Sequence, residues 1–369
     1  MFKFLAAFII VGVVLISGFL VYNRTHQTAF LSGNISRPQI IFPSSPSPLP
    51  QFNLESIFLL DHSWTKSFEE NKTITLIATG DVIPVRATNL VAVQKNDFSW
   101  AFKNIAETLK SGDITFINLE TPLIKNCQPT NEGMVFCGDI RHLQGLLLSG
   151  VDVASLANNH AGNYGESGVK ETVELLNKNG IETTGVNGPL YKTVKGVKFA
   201  FLGYDDITTP QPGVSNADET KIKTEVAAAR KNADIVIVQY HWGVEYQTQP
   251  DDRQKTLGHL TIDDGADLVI GNHPHWIQPI EFYKGKLITY AHGNTVFDQE
   301  WSQKTKEGVI GRYTFYNKKL VDVEYLPLLI KDFGQPSFLE GQAKQKILRD
   351  MSNQSLILAS DEAKLNHSL

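Results

Sequence analysis

Five β-rich runs of this sequence each end on residues able to bind a cation. Asp81 ends ITLIATGD (74–81), Glu120 ends DITFINLE (113–120), and Asn158-Asn159-His160 end VDVASLANNH (151–160). His241 ends DIVIVQYH (234–241), and His273-Pro274-His275 begin where DLVIGNH (267–273) stops. Taken singly, an Asp after Gly is ordinary turn chemistry and a His near a strand end is ordinary hydrogen bonding; the recurrence is the signal. In extended chain, residues two apart emerge on one side, so His273 and His275 can converge on one ion. Carboxylate, carboxamide and imidazole without thiolate suit Mn, Fe or Zn better than Ca or Mg. The set exceeds the roughly four protein ligands that one ion takes. Two divalent ions about 3.5–4 Å apart, bridged by a carboxylate and water, would use it and serve hydrolysis of a phosphoryl or acyl centre.

Such groups need elements that stop at one edge. Besides these five runs, VKFAFLGY (197–204) reads as a buried strand. Helices are expected at 99–110, capped by Ser99, at 139–149, over Val169, Val173 and Leu176 up to Gly180, and at 216–232 and 251–264. EFYKGKLITY (281–290) and RYTFYNKKLVDVEYL (312–326) read as hairpins around Lys-Gly and Asn-Lys turns. Strands alternating with helices mean an α/β body with antiparallel pieces towards the end. In open α/β sheets, ligands sit beyond the carboxyl ends of the strands.

The remaining composition narrows the setting. With 34 Lys+Arg against 39 Asp+Glu, no basic excess exists to neutralise phosphates, which excludes a nucleic-acid partner. Two cysteines in 369 residues exclude a disulfide-built scaffold and a thiolate zinc cluster. Residues 4–22 (FLAAFIIVGVVLISGFLVY) carry no charge and match the length of a membrane span better than a cleaved signal peptide. The expected organisation is a single-pass anchor at 1–22, a Pro/Ser-rich tether at 23–70, a folded body at 71–335 and a polar tail at 336–369. Residues 52–68 could instead dock on the body. A body of this size behind a first anchor is most simply extracytoplasmic, at the cell membrane.

GDVIPVR (80–86), NLETPLI (118–124), SLANNHAGNYGESGVKET (155–172), QYHWGVEY (239–246), GADLVIGNHPH (265–275) and YAHGNTVFDQ (290–299) together resemble the CapA-type proteins of bacterial capsule, or poly-γ-glutamate, synthesis, within the calcineurin-like metallophosphoesterase superfamily. The resemblance implies a metallophosphatase-like sandwich of two β-sheets flanked by helices, with a two-metal centre on one edge. It makes Asp81, Glu120 (bridging), Asn159, His241, His273 and His275 metal ligands, and His160 a general acid. It also implies an anionic envelope polymer or phosphoester as substrate, and membrane polymer-synthase subunits as partners. Two departures stand out: Ile83 occupies the place of a first-block His, weakening one metal site, and Glu120 replaces a shorter Asp. His292 could compensate for Ile83 or simply pack.

Around these, Arg86 could bind a substrate carboxylate or phosphate, or form a surface ion pair. Asn158 is grouped with it on the substrate side and, like Glu245, could also orient ligands. Trp242 and Trp276 could wall the pocket or fill the core. Cys127 and Cys137 enclose a turn-rich loop that a disulfide could pin in an oxidising exterior, the alternative being free thiols. Two functions fit: a membrane-anchored hydrolase acting on an envelope substrate, or a non-catalytic factor of polymer binding or export.

Overall fold

The computed structural model describes residues 51–207 and 210–367. The expected anchor and residues 23–50 of the tether lie outside these; among the described residues no helix is long and apolar enough to cross a membrane. In chain order the strands are β1 (Thr73–Val82), β2 (Ile114–Leu119), β3 (Leu123–Ile124), β4 (Gly138–Asp139), β5 (Val153–Ser155), β6 (Glu182–Thr184), β7 (Leu190–Val194) and β8 (Val197–Asp205). They continue as β9 (Ile235–His241), β10 (Leu268–Asn272), β11 (Ile280–Tyr283), β12 (Lys286–Thr289), β13 (Asn294–Val296), β14 (Glu307–Tyr316), β15 (Lys319–Lys331) and β16 (Gln335–Phe338).

Two large sheets result. One runs β16-β15-β14-β1-β2-β5-β6, with β13 beside the end of β1, and the other runs β11-β12-β10-β9-β8-β7. β1, β2, β5 and β6 are parallel, as are β8, β9, β10 and β12. The central strands β1, β2, β8, β9 and β10 carry long apolar runs because both faces are covered. Between the sheets, Leu76, Phe116 and Val153 meet Phe201, Ile237 and Ile270 in one core. The outer face of the first sheet, with Ile117, Leu119 and Ala154, packs on Leu146 and Leu176 of the helices Leu143–Leu148 and Gly165–Lys178. The outer face of the second, with Val236, Val238 and Tyr240, packs on Ile222 and Val226 of Glu219–Asn232 and on Leu257 of Asp252–Asp263. Burying a side chain of this size stabilises by about 1.5–3 kcal/mol. The layers therefore form a stiff base for the loops at their edge.

Local departures from the expected elements have physical causes. Residues 99–110 break into a 3-10 turn, Trp100–Phe102, and a short helix, Ala106–Lys110. Trp100, Ala101 and Phe102 are consecutive and all buried, which a helix with one apolar stripe does not allow, and the Ser99 hydroxyl donates to Asp97 instead of capping. The run 151–160 is a strand only to Ser155; Asn158 Oδ1 then accepts from the backbone N–H groups of His160 and Ala161, at 3.3 and 2.8 Å, and turns the chain. Both hairpins form, with Lys284-Gly285 and Asn317-Lys318 at positive φ, as two-residue turns require.

The ends of the described chain contribute to the same core. Ile57 of the short helix Leu54–Ile57 is buried in it, and His62 bonds Asp322 at 2.9 Å. The helix Gly341–His367 inserts Ile347, Leu348 and Met351.

Candidate metal centre

Close backbone approach builds the first wall. A Cβ at Gly80 would lie 2.0 Å from the Gly293 carbonyl oxygen, so only glycine lets β1 run this close to the 291–294 segment. Asp81 N–H donates to Gly293 at 2.9 Å, and the Asp81 carboxylate is fixed by Asn118 Nδ2 at 2.8 Å from the adjacent strand. Glu120 follows directly on β2, and His241 lies beside Asn272 at the paired ends of β9 and β10.

The ligand candidates fall into two overlapping groups. Glu120, His241 and His273 form one, and Asp81, Glu120 and His275 the other; within each, one ligand atom per residue lies within 4.8 Å of the others. In the first, His241 Nε2 is 3.4 Å from Glu120 Oε1, 3.1 Å from His273 Nδ1 and 2.9 Å from Asn159 Oδ1. In the second, His275 Nδ1 is 3.2 Å from Asp81 Oδ2 and 2.9 Å from Asn294 Oδ1. Glu120 belongs to both and is fully buried, yet neither of its oxygens has a hydrogen-bond partner. Buried carboxylates are normally paired or bound to metal. This donor set fits a divalent cation.

Electrostatics separates the two groups. Burial, reinforced by the Asp81 charge, pushes Glu120 well above the usual carboxylate range. Burial holds His241 down to about 4 and His273 well below its ordinary value, so both are neutral at pH 7 with lone pairs to give. Burial acts the same way on His275, but the hydrogen bond it donates to Asp81 and the charges of Glu120 and Asp81 overcome it and raise His275 to about 9. For Asp81 burial is likewise outweighed, here by His275, and its pKa is lowered. His275 and Asp81 form a buried ion pair.

His273 and His275 do not converge on one ion as expected: His273 joins Glu120 and His241, and His275 joins Asp81 and Glu120. Their φ angles are 99° and 56°, so the segment is a left-handed turn after β10, not extended chain. Non-glycine residues hold that conformation at a cost of about 1–3 kcal/mol, which the surrounding structure must sustain.

His160 stands at the rim of the first group. Asn163 Oδ1 accepts from the Phe136 backbone N–H at 2.6 Å and lies 2.8 Å from His160 Nδ1. A backbone N–H can only donate, so His160 carries its proton on Nδ1 and keeps Nε2 available. Burial, with the neighbouring His241 and His275, holds His160 down to about 4.

The other candidates divide. Asn158 is wholly buried and serves as scaffold: Nδ2 donates to the Leu119 carbonyl at 2.9 Å and to Asn118 Oδ1 at 3.2 Å. Arg86 is also buried, its guanidinium paired with Asp298 and lying over the rings of Phe136 and Phe297; a substrate anion would have to compete with Asp298 for it. Glu245 is near enough for its charge to act on Glu120 and His275. Trp242 is core, stacked on Tyr240 and donating to the Tyr290 carbonyl. Trp276 is only partly buried and carries Lys304 over its ring. His292 bonds the Tyr313 hydroxyl at 2.9 Å and does not join either group. Ile83 is sealed among Val85, Phe136 and Phe297. Cys127 and Cys137 form a disulfide.

Three groups in or beside the site carried no expectation. Asn118 and Asn294 fix Asp81 and His275. Asp205, at the end of β8 and in register with His241, is buried with Oδ2 unpartnered, and burial raises it to about 6. The signal for Asp205 was available, since GYD ends an apolar run as the other sites do.

Buried carboxylates and neutral imidazoles gathered at one edge of a mixed α/β body define a candidate divalent-metal protein. Residues 75–299 match the family described as bacterial capsule synthesis protein PGA_cap, and the chain belongs to that family. It is 28% identical over 351 residues to the capsule biosynthesis protein CapA of Bacillus anthracis, covering 85% of each chain. It is 32% identical over 294 residues to the PGA biosynthesis protein CapA of Bacillus subtilis strain 168, covering 75% of this chain and 77% of that one. Among solved structures, a phosphatase of Mycoplasma pneumoniae is similar at 13% identity and a TM-score of 0.49, over 70% of this chain and 94% of that one.

Proposed function

We propose that this protein is a metal-dependent hydrolase of the phosphoester type that works in capsule or poly-γ-glutamate synthesis. The observation that carries this reading is Glu120, fully buried with both oxygens unpartnered between the two ligand groups. Oxygen and imidazole donors without thiolate suit Mn, Fe or Zn, which Glu120, His241 and His273, and Asp81, Glu120 and His275, would hold. Bound there, a divalent ion supplies Lewis-acid polarisation of a phosphoryl group and a nucleophile at neutral pH.

The chain's own residues do the rest. Asn118 and Asn294 hold Asp81 and His275, and Asn159 adds a carboxamide beside His241. His160, neutral at pH 7 with Nδ1–H on Asn163, offers Nε2 as a proton acceptor. It can donate to a leaving oxygen only once a bound anion favours its protonated form.

The setting we propose is the outer side of the cell membrane, with residues 4–22 as a single-pass anchor and polymer-synthase subunits as neighbours. The disulfide supports an oxidising compartment. The substrate is then an anionic envelope polymer or a phosphoester, and a chain of charge −5 relies on bound metal for the local positive charge. Ile83 favours a second reading, because an apolar side chain stands where the resemblance expects a ligand: the site would then bind polymer without cleaving it.

The purified full-length chain decides between them. Its Mn, Fe and Zn content is measured, and phosphodiesters and poly-γ-glutamate are assayed beside His160→Ala and His273→Ala. Metal with turnover that both variants lose supports the hydrolase. Metal and polymer binding without turnover supports the second reading, and a metal-free, inactive chain sinks the first.

A further inference from the structure

The loop closed by Cys127 and Cys137 lies outside both ligand groups, yet it ends on the ring that touches His160. Most of it is exposed, including Met134 and Val135, at 63% and 66%. Phe136, next to the bridged Cys137, is only 2% exposed. Its ring lies parallel to the His160 imidazole, with centroids 3.8 Å apart and planes 20° apart. Its backbone N–H shares Asn163 Oδ1 with His160 Nδ1. On its far side the ring meets Phe297 edge-on at 5.8 Å and the Arg86 guanidinium at 5.0 Å, which Asp298 holds. The disulfide and the short pairing of β3 with β4 anchor this arrangement.

We propose that the disulfide-closed loop is a positioning element for His160, with Phe136 as its working residue. The ring fixes the imidazole plane, and the Phe136 N–H fixes which way Asn163 faces and hence which nitrogen of His160 carries the proton. Without the loop, His160 keeps its identity but loses one face of packing and the group that orients its partner. The inference rests on the hydrolase reading for its consequence in catalysis, but the placement itself does not depend on it. Phe136 touches no substrate in this account and acts through His160.

A leaving-group comparison separates positioning from general damage. Proton donation matters most for a poor leaving group, so a methyl phosphodiester and a p-nitrophenyl phosphodiester are compared on the full-length, Zn-loaded chain. Phe136→Leu, which keeps the site apolar but removes the flat face, should lower kcat for the alkyl ester about 10–100-fold. It should leave the aryl ester within about threefold, since that step needs little proton donation. Cys127→Ser with Cys137→Ser should show the same selectivity, and Phe136→Tyr should restore it towards wild type. Equal losses on both esters would overturn the proposal, as a merely structural role predicts them. In parallel, the His160 Cε1–H resonance, followed in histidine-labelled chain, should lie upfield from the ring current and move downfield in Phe136→Leu. If wild type cleaves neither ester, the hydrolase reading fails, and this resonance alone decides the positioning: movement supports it and no movement overturns it.

Discussion

The two ligand groups share Glu120 but are prepared for a cation in opposite ways. In the Glu120–His241–His273 group both imidazoles are neutral at pH 7, and the Asn159 carboxamide stands close by as a fourth donor. In the Asp81–Glu120–His275 group the imidazole holds a proton to about pH 9 through Asp81, and Ile83, where the sequence resemblance expects a further ligand, is buried in an apolar cluster. A cation entering the second group must displace a proton and break an ion pair, and it finds fewer donors. The difference teaches that ligand count alone does not set affinity; the state in which each ligand waits does. The first group should fill first and more tightly.

The largest expected effect comes from the shared residue. Glu120→Gln should remove metal from both groups, with a loss of affinity and turnover beyond the roughly 10–100-fold typical of changes outside the ligand shell; elemental analysis of the purified chain checks it. Next, the groups should separate. His273→Ala should abolish tight binding, whereas His275→Ala should leave the first equivalent in place and lower turnover by weakening the second, as metal titration and assay on the same samples would record. Loss of tight metal in His275→Ala would break the comparison. Smaller again, Asn294→Ala should weaken the second equivalent about tenfold by releasing His275, and leave the first unchanged.

The smallest effect is a pH dependence of the metal-stripped chain. His241 and His273 have folded values below the ordinary 6.5, so the unfolded chain binds protons that the fold refuses. The contribution of His241 to stability therefore falls as pH drops from about 6.5 towards about 4, and that of His273 falls in the same direction below 6.5. His275 has a raised folded value, so its contribution is complete below 6.5 and is lost as pH rises through about 9. Thermal unfolding should show His241→Gln flattening the acid limb and His275→Gln the alkaline one.

How much of this was legible in the sequence depends on the kind of residue. Asp81, Glu120, His241, His273 and His275 announced themselves because each follows an apolar strand run, and parallel strands deliver their ends to one edge. The expected convergence of His273 and His275 on one ion is not found: they fall in different groups, and the left-handed turn that carries them cannot be read from a His-Pro-His triplet. Asn118 and Asn294 were invisible, since what distinguishes them is register across β1: Asp81 pairs with Asn118 on one side and with Asn294 on the other. Arg86 was legible as a residue near the site but not as the partner of Asp298, 212 positions away. The helix expected at 99–110 failed because tertiary burial of Trp100, Ala101 and Phe102 overrode its periodicity.

Calorimetric titration of the metal-stripped, full-length chain with Mn or Zn, repeated on His273→Ala and His275→Ala, tests the central claim most directly. The predicted result is two unequal equivalents, the tight one lost in His273→Ala and retained in His275→Ala, with more protons released on filling the weak site. Two equal sites, or tight binding that survives His273→Ala, would contradict it.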